Sequence, residues 1–457
     1  MKTLPVSFNE AIEQAVKKYW NRNALSDYGD ITFQYKDAAR IITKLHILFE
    51  EAGIKKGDKI ALCGSNSSRW GMAFLATITY GAIAVPILPD FHEEQIHQIS
   101  NHSEARLLFA SDKIWKKINA EEMPNLIGII GTEDYQVLYA RETVLQESRN
   151  KLNKLYGEKY PDSFRPEHIS YHKDKPEELC MINYTSGTTS NSKGVMIPYR
   201  AIHSNVQFGI EKLGHELKSG ENMLSMLPMA HMYGLAFEFL YEFICGVHVH
   251  FLTKMPTPAI LLKAFADVKP KMIVCVPLIL EKIVRKAILP KVKDPKISVM
   301  LKMPIVGNMI KQKICKGLQD ALGGNFYQAI IGGAAINAEI EALLKDIGFN
   351  YCIGYGATEC APILAYEDWT KFKQGSCGKA APRMTLKIDS PDPQNIPGEI
   401  LAQGDNVMLG YYKNEEATAE TLVDGWYRTG DLGIIDAEGN VFIKGRSKNM
   451  LLGASGQ

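Results

Sequence analysis

The sequence predicts an α/β fold of two helix-covered, mainly parallel sheets followed by a small antiparallel β subdomain. Between residues 59 and 276, short apolar runs alternate with amphipathic segments, which is typical of βαβ units. From about residue 383 the pattern changes to short strands separated by Pro- and Gly-containing turns, which indicates antiparallel pairing. A chain of 457 residues exceeds one compact core. We therefore expect subdomains at about 1–178, 179–382 and 383–445.

The first part of the chain predicts a parallel sheet covered by helices. Helices are predicted at 7–20, 36–52, 67–79 and 90–101, and strands at 59–63, 84–88, 105–109 and 126–130. The uncharged stretch 71–89 approaches the length of a membrane span. Its glycines and prolines instead favour a buried helix followed by a strand. The polar stretch 140–178 predicts a surface connection.

The middle of the chain continues the alternation. Strands are predicted at 179–182, 195–197, 222–227, 247–252, 271–276, 329–331 and 350–353, and helices at 199–213, 235–244 and 258–267. Because ligands of parallel sheets bind beyond the carboxyl ends of the strands, the junctions after 182, 227, 331 and 353 are expected to line one crevice. Residues 279–320 are helical and rich in lysine. This pattern favours solvated helix faces over a nucleic-acid or membrane surface.

Composition narrows the class of protein. The formal net charge is +1, so no global attraction to nucleic acid is expected. The eight cysteines are scattered without a C-x-x-C pair, which predicts neither a zinc site nor a disulfide framework. The amino terminus lacks the apolar core of a signal peptide. Together these features predict a cytoplasmic location.

The stretch Tyr-Thr-Ser-Gly-Thr-Thr-Ser-Asn-Ser-Lys-Gly-Val at 184–195 predicts a phosphate-binding loop. Between residues 185 and 194 it has six hydroxyl side chains, two glycines and Lys193. Glycines let the backbone fold around an anion, and N–H groups, hydroxyls and the lysine can then bind it. It is not a Walker A loop, because Ser192 and Gly194 flank the lysine. A flexible linker is the alternative, although apolar runs lie on both sides of the loop.

Three later motifs follow this loop in a fixed order. They are Tyr355-Gly-Ala-Thr358-Glu359, Tyr427-Arg-Thr-Gly-Asp431 and Gly445-Arg446-Ser-Lys448. With the loop, they resemble the adenylate-forming superfamily of acyl-CoA synthetases, peptide-synthetase adenylation domains and luciferases. The resemblance covers essentially the whole chain and is greatest to long-chain fatty acid–CoA ligases. It implies the large N-terminal domain of that fold over residues 1–445.

The resemblance also implies a reaction: a carboxylic acid is activated by ATP and Mg²⁺ to an acyl-adenylate and is then transferred to coenzyme A. The implied catalytic residues are Thr188, Lys193, His231 and Glu359. The implied nucleotide-binding residues are Thr185, Ser186, Gly187, Thr188, Thr189, Lys193, Gly332, Gly333, Ala334, Gly354, Tyr355, Gly356, Thr358, Asp431 and Arg446. Glu359 and Thr185 are the implied metal ligands, since Mg²⁺ prefers oxygen.

Individual roles follow from the same resemblance. Thr188 and Lys193 would hold the β- and γ-phosphates, and Thr358 the α-phosphate. Tyr355 would lie against adenine, although core packing explains a buried tyrosine equally well. The ribose would bind Asp431 and Arg446. His231 would place the acyl carboxylate, and a structural histidine at a strand end is the alternative. For Glu359, a surface residue capping a helix is the alternative to a metal ligand.

The acid is predicted from the segment after His231. It is apolar apart from Glu238, which favours a medium- or long-chain fatty acid, while Glu238 leaves an amino-acid substrate open. The tryptophan gate of some long-chain enzymes is not apparent, because Leu235 lies near the expected position. The acyl chain length therefore stays open. A close alternative ends at acyl-AMP and loads the phosphopantetheine of a carrier protein.

The last twelve residues resemble a hinge, Lys448, and the stub of a smaller C-terminal domain over 446–457. Because that domain assists adenylation in the superfamily, we expect this chain to bind nucleotide and acid but to turn over slowly. A nucleotide-binding module with little turnover is the alternative. The expected partners are fatty acid and coenzyme A, without nucleic acid or a transmembrane segment. Peripheral membrane contact stays open.

Overall fold

The computed structural model describes residues 3–185 and 192–446. Up to residue 140, helices and strands alternate as the apolar pattern predicts. The elements are α1 (Phe8–Lys18), β1 (Asn23–Asp27), β2 (Thr32–Gln34), α2 (Tyr35–Glu51), β3 (Lys59–Cys63), α3 (Ser68–Tyr80), β4 (Ile83–Ile87), α4 (Glu93–His102), β5 (Ala105–Ala110), α5 (Asp112–Trp115), β6 (Gly128–Gly131) and β7 (Val137–Ala140).

The alternation continues to residue 275, and a π-helical turn (Ala236–Leu240) joins two short helices into one. The elements are α6 (Thr143–Lys159), β8 (Leu179–Tyr184), β9 (Gly194–Pro198), α7 (Tyr199–Lys212), β10 (Asn222–Ser225), α8 (Met232–Leu235), α9 (Tyr241–Cys245), β11 (His248–Phe251), α10 (Pro258–Val268) and β12 (Met272–Cys275).

Four helices in succession then interrupt the pattern, and short strands dominate after residue 350. The elements are α11 (Pro277–Ala287), α12 (Leu289–Val292), α13 (Pro295–Leu301), α14 (Pro304–Ala321), β13 (Gln328–Ile331), α15 (Ala338–Asp346), β14 (Tyr351–Ile353), β15 (Tyr355–Gly356), β16 (Ile363–Tyr366), β17 (Lys379–Ala380), β18 (Met384–Asp389), β19 (Gly398–Gly404), β20 (Gly410–Tyr411), α16 (Glu415–Thr421), β21 (Leu422–Val423), β22 (Trp426–Ile435) and β23 (Val441–Arg446).

The parallel strands are divided among three sheets. The largest has eight strands in the order β20-β9-β8-β4-β3-β5-β6-β7, with the parallel strands in the middle and antiparallel ones towards both edges. A second sheet has the order β10-β11-β1-β2, and a third the order β12-β13-β14. The middle strands of the largest sheet, such as β4, are buried on both faces, as expected where helices cover a parallel sheet.

The antiparallel part follows at the carboxyl end. Strands β18, β19, β22, β21 and β23 form one sheet, in which β23 pairs with β22, and β15-β16-β17 form a smaller one. The predicted α/β class, with mainly parallel helix-covered sheets and a small antiparallel subdomain, is thereby confirmed. The subdomain limits stay a prediction.

One predicted connection is wrong. The polar stretch 140–178 contains α6, because Leu145, Ser148 and Leu152 recur at helical spacing and are buried. The rest of the stretch is also more than a surface link. The buried Asp174 carboxylate accepts hydrogen bonds from the Ser7 hydroxyl at 2.7 Å and from the Phe8 N–H at 2.9 Å, and so anchors the start of α1.

The stretch 71–89 forms the buried helix and strand that its glycines and prolines favour. Helix α3 is buried on every side from Trp70 to Thr79, and Gly81 ends it in a left-handed conformation. None of the helices in the described part of the chain combines the length and the apolar character that a membrane span requires.

Candidate active site

The base of the predicted phosphate loop is a β-hairpin. Strand β8 enters the loop and β9 leaves it, paired antiparallel. The Thr185 N–H donates to the Lys193 carbonyl at 3.1 Å, and the Lys193 N–H donates to the Thr185 hydroxyl at 3.4 Å. The two ends of the loop are therefore held together. Four predicted ligands, Ser186, Gly187, Thr188 and Thr189, lie outside the described residues, as does Lys448.

Tyr411 connects Lys193 to Glu359 at this base. The Lys193 ammonium lies 4.6 Å from the centre of the Tyr411 ring, and the Tyr411 hydroxyl donates to Glu359 Oε1 at 2.8 Å. Tyr411 reaches this place because β20 pairs with β9 opposite Val195. Burial, together with the Glu359 charge, raises the pKa of Tyr411, so its proton stays on as a hydrogen-bond donor. A predicted phosphate ligand and the predicted metal ligand thus contact the same tyrosine.

A second polar group joins the antiparallel subdomain to the glycine junction. Asp431 Oδ2 accepts a hydrogen bond from the Tyr355 hydroxyl at 2.7 Å, and Oδ1 accepts from Arg446 Nε at 3.1 Å. Tyr355 is mostly buried, and this burial raises its pKa, with the Asp431 charge adding to the effect. The structure therefore brings together the three residues expected around adenine and ribose. Their contacts with a nucleotide stay a prediction.

The predicted Gly332-Gly-Ala334 wall lies against Tyr233. A Cβ added to Gly332 would be 3.1 Å from the Tyr233 ring, which is closer than side chains ordinarily pack. The Tyr233 hydroxyl donates to the Ile330 carbonyl at 3.0 Å, so the ring cannot easily move away. Gly333 has a φ of +83°, a left-handed conformation that favours glycine. Packing against Tyr233 explains the glycine at 332, and the left-handed backbone explains the glycine at 333. Gly333 and Ala334 are exposed.

The glycines of the second junction permit close backbone contacts. The Gly354 N–H donates to the Ile331 carbonyl at 2.9 Å, which joins this junction to the end of β13. A Cβ on Gly356 would lie only 2.4 Å from the Pro362 carbonyl oxygen. Thr358 follows and is partly buried at the start of a short helical turn that also includes Glu359.

His231 caps helix α8 at the edge of the same crevice. Its Nδ1 accepts a hydrogen bond from the Tyr233 N–H at 3.3 Å. The residue is exposed, yet the surrounding protein desolvates the ring in part and lowers its pKa. The imidazole is therefore neutral at pH 7. It has a local structural partner, and its role towards an acyl group stays a prediction.

Glu238 does not face the crevice as a free carboxylate. It is fully buried, and its Oε2 accepts hydrogen bonds from the Met226 N–H at 2.9 Å, the Leu227 N–H at 2.8 Å and the Ser225 hydroxyl at 3.3 Å. Burial raises the pKa of Glu238 well above its ordinary value. The side chain fastens the end of β10, where the segment towards His231 begins. An anchor for a substrate ammonium group is not supported by these contacts.

The junctions expected to line one crevice are connected by direct contacts. The Asn183 side-chain amide donates to the Ala230 carbonyl at 2.9 Å, which joins the end of β8 to the segment before His231. Tyr233 then joins that segment to β13, and Gly354 joins β13 to the next junction. The residues not predicted are Asn183, Tyr233 and Tyr411. A glycine followed by two tyrosines at 410–412 is the one sequence signal that points to Tyr411.

A metal ion would depend on few protein ligands here. Within residues 3–185 and 192–446, no three His, Cys, Asp or Glu side chains come together as a metal cluster. Glu359 contributes one carboxylate, and Thr185 one hydroxyl at the loop base. This sparse oxygen set fits Mg²⁺, which binds through one or two carboxylates together with substrate phosphates and water.

Comparison with known proteins decides the family. The family model described as AMP-binding enzyme matches residues 12–412. The chain belongs to the AMP-binding enzyme family. The match includes the loop, Glu359 and Tyr411. Tyr411, which the sequence motifs do not indicate as a site residue, therefore lies within the matched region.

Relatives of this AMP-binding chain are similar over most of its length. The long-chain-fatty-acid–CoA ligase FadD15 of Mycobacterium bovis is 27% identical over 429 residues, which cover 89% of this chain and 68% of the relative. Long chain acyl-CoA synthetase 3 of Arabidopsis thaliana is 27% identical over 461 residues, covering 93% and 67%. The N-terminal domain of FACL13 from Mycobacterium tuberculosis has the same fold, with a TM-score of 0.74 at 20% identity, covering 97% of this chain and 100% of that one.

Proposed function

We propose that this protein activates a medium- or long-chain fatty acid with ATP to acyl-AMP and transfers the acyl group to coenzyme A. Membership of the AMP-binding family and the two ligase relatives support this reaction. The observation that carries it is the meeting of Lys193, Tyr411 and Glu359 at the loop base. A lysine and a carboxylate held there by one tyrosine suit a polyphosphate and its cation.

The phosphate end of the proposal rests on charge. An acid oxygen attacks the α-phosphorus, the bond to the β-phosphate oxygen breaks, and pyrophosphate leaves with additional negative charge. Lys193, near the Thr185 end of the loop, would stabilise that charge, and Thr358 would donate to the α-phosphate. Glu359 and Thr185 would hold Mg²⁺, which when bound neutralises phosphate charge.

The nucleoside end rests on the Tyr355, Asp431 and Arg446 group. Asp431 would accept from the ribose hydroxyls, a role that an ionised carboxylate fills well. Its present partners, the Tyr355 hydroxyl and Arg446 Nε, keep the carboxylate oriented. Gly332 to Ala334 and the Tyr355 ring would form the adenine pocket, and Lys448 would be the hinge.

The acyl end rests on apolar walls near His231. Leu235 and Phe237 follow it on the same helix and are buried. Neutral His231 at the mouth of that region would place the carboxylate, since a neutral imidazole can donate a hydrogen bond to an oxygen. A fatty acid is favoured over an amino acid because the acidic side chain of this helix segment, Glu238, is turned to backbone N–H groups.

The test is acid-dependent pyrophosphate release by the purified protein with ATP and Mg²⁺. We expect palmitate or decanoate to stimulate release and acyl-AMP to be detected by mass spectrometry. Lys193→Ala and Glu359→Gln should each lower the rate at least tenfold, because a hydrogen bond to a charged group contributes roughly 1.5–3 kcal/mol. Glu121→Gln is the matched control for Glu359→Gln, since Glu121 also accepts from a tyrosine hydroxyl, Tyr139, at 2.9 Å on the protein surface.

The acceptor is decided in the same assay. Formation of acyl-CoA on addition of coenzyme A supports the ligase, whereas acyl transfer to a carrier-protein phosphopantetheine alone would replace coenzyme A in the proposal. If neither acid stimulates release, or if both variants react like wild type and Glu121→Gln, the proposed chemistry is refuted and a nucleotide-binding module remains.

A further inference from the structure

Exposed apolar side chains concentrate in one segment, residues 278–309, that contains none of the predicted site residues. Twelve large hydrophobic side chains are exposed in the described part of the chain. Six of them fall between residues 278 and 309: Leu278, Val299, Met300, Met303, Ile305 and Met309. Ile305 is 79% exposed and Met309 66% exposed. Single exposed hydrophobic residues need no explanation, but a group of this size indicates an interaction surface.

Five of the six, at 299–309, form what we call the α13–α14 corner, and local contacts join its two helices. The Asp294 side chain caps α13 by accepting from two backbone N–H groups at 3.0 and 3.2 Å. Gly307 then packs against the preceding helix, since a Cβ there would lie 2.4 Å from the Leu301 carbonyl oxygen. Ile305 and Met309, four residues apart on α14, present the same face. The apolar side chains are therefore carried by fixed helices.

The other end of α14 has the opposite pattern. Ile314 and Leu318 are buried, and the Cys315 thiol donates to the Gly348 carbonyl at 3.5 Å. Lys311 is held by an ion pair with Asp346. One half of this helix is thus anchored in the protein, while its first two turns project apolar groups outwards. Burial of the helix stem explains why the exposed end is held in place.

Exposed basic side chains are frequent in the segment that contains the corner. Residues 278–316 contain ten lysines and arginines but only two acidic residues, in a chain whose net charge is +1. The exposed cations are Lys282, Arg285, Lys286, Lys291, Lys293, Lys296, Lys302, Lys313 and Lys316. Among the residues that the structure describes, Lys293 is the one of these nine with a carboxylate partner, Glu339 at 3.5 Å. Both acids are engaged, because Asp294 caps α13 and Glu281 accepts from the Asn337 N–H at 2.9 Å.

Exposed apolar and basic side chains in one segment favour one class of binding partner over the others. The segment 277–325 has no Phe, Tyr or Trp, so it lacks the stacking platform of single-stranded nucleic-acid sites. A second copy of the chain would bring two like-charged surfaces together. Exposed apolar side chains in a segment rich in exposed lysines instead match an anionic bilayer, in which apolar groups enter the acyl boundary and cations meet the headgroup phosphates.

We propose that the α13–α14 corner docks the protein on an anionic lipid bilayer. The corner belongs to the helical segment that begins with α11, directly after β12 and beside the glycine wall, where the Cβ position of Gly333 is 3.5 Å from Val276. The interpretation of all these lysines as solvated helix faces does not account for the apolar side chains among them. The surface is independent of the proposed ligase activity.

The test is co-sedimentation of the purified protein with vesicles of phosphatidylcholine alone or with an equal part of phosphatidylglycerol, without nucleotide or fatty acid. We expect binding to the anionic vesicles only, weakened by high salt. Each basic residue at an anionic surface contributes about fivefold, so Lys296→Gln with Lys302→Gln should weaken binding on the order of 30-fold. Val299→Asp with Ile305→Asp should abolish it.

The controls separate a surface from a general loss of folding. Ile396→Asp with Val423→Asp removes exposed apolar side chains outside the corner and should bind vesicles like wild type. Each variant should keep the wild-type unfolding midpoint. Equal vesicle binding by the corner variants and wild type, no binding to anionic vesicles, or equal loss in the control variant would each overturn the proposal. Because no substrate is present, these results are independent of the ligase test.

Discussion

The carboxyl group of Glu238 gives the sharpest test of how the crevice is built. The structure describes it as a buried hydrogen-bond acceptor that holds the end of β10, with its pKa raised by burial. A glutamine at this position keeps a side-chain oxygen that can accept from the same N–H groups. Glu238→Gln should preserve the acceptor, whereas Glu238→Ala should remove it.

The magnitude follows from the groups left without a partner. In Glu238→Ala the Met226 and Leu227 N–H groups lose acceptors at 2.9 and 2.8 Å beside a fully buried side chain. Each unsatisfied buried group costs about 1–3 kcal/mol, so the free energy of unfolding should fall by roughly 2–6 kcal/mol. Glu238→Gln should stay within about 1 kcal/mol of wild type, because its amide oxygen accepts from the same N–H groups.

The assay is urea unfolding at pH 7, followed by fatty-acid affinity for those variants that are folded. We expect the order wild type, Glu238→Gln, then Glu238→Ala, with fatty-acid binding retained by the glutamine variant. If the alanine variant unfolds like wild type, the hydrogen bonds are not stabilising. If the glutamine variant is as unstable as alanine, an ionised carboxylate is required, and an amino-acid substrate becomes the better hypothesis.

Three further predictions concern single groups. Tyr411→Phe removes the 2.8 Å hydrogen bond to Glu359 and should weaken Mg²⁺-dependent ATP binding about tenfold or more in a calorimetric titration, with ATP binding in EDTA changed less. Gly332→Ala places a Cβ 3.1 Å from the Tyr233 ring and should raise KM more than it lowers kcat in the pyrophosphate assay. Glu242 is buried with its pKa raised to about 8 from an unfolded value of 4.5. Glu242 should therefore contribute most to the wild-type free energy of unfolding below pH 4.5, and this contribution should fall by roughly 1.4 kcal/mol per unit between about pH 4.5 and 8. Glu242→Gln should make the measured slope shallower by that amount, while Glu238, whose pKa is also raised, keeps its own contribution.

A different result would contradict each of these three predictions. Equal ATP affinity of Tyr411→Phe and wild type in Mg²⁺ would mean that the tyrosine does not orient the metal ligand. An unchanged KM in the Gly332 variant would mean that the wall yields or is not part of a pocket. A pH slope equal in Glu242→Gln and wild type would assign the whole slope to other groups.

The sequence predicts strands well where the core itself determines them. Apolar runs bounded by Gly, Pro or Asn, such as 59–63, coincide with a strand because burial on both faces selects such runs. Strand β1, Asn-Ala-Leu-Ser-Asp, has no such pattern. It is a strand because Leu25 and Asp27 pair with Val249 and Phe251 of β11, a contact distant in sequence.

In the candidate site, too, local sequence indicates some residues, whereas others depend on contacts that the sequence does not show. Motif resemblance indicates Glu359 and Asp431, because carboxylates in glycine-rich or fixed motifs imply chemistry. It does not indicate Tyr411, whose position depends on the pairing of β20 with β9. Composition also does not show where the Glu238 side chain points. Glu238 lies in the π-helical turn, and its carboxylate accepts hydrogen bonds from backbone N–H groups. Partners remote in sequence decide these roles.

Calorimetric titration with ATP·Mg²⁺ in the absence and presence of palmitate, repeated with AMP, tests whether the chain has both a nucleotide site and an acid site. We expect that the chain binds nucleotide and that palmitate strengthens this binding. Lys193→Ala should weaken the binding of ATP more than that of AMP, because AMP lacks the β- and γ-phosphates. Absence of nucleotide binding, or ATP and AMP affinities that neither palmitate nor Lys193→Ala alters, would contradict the proposed function.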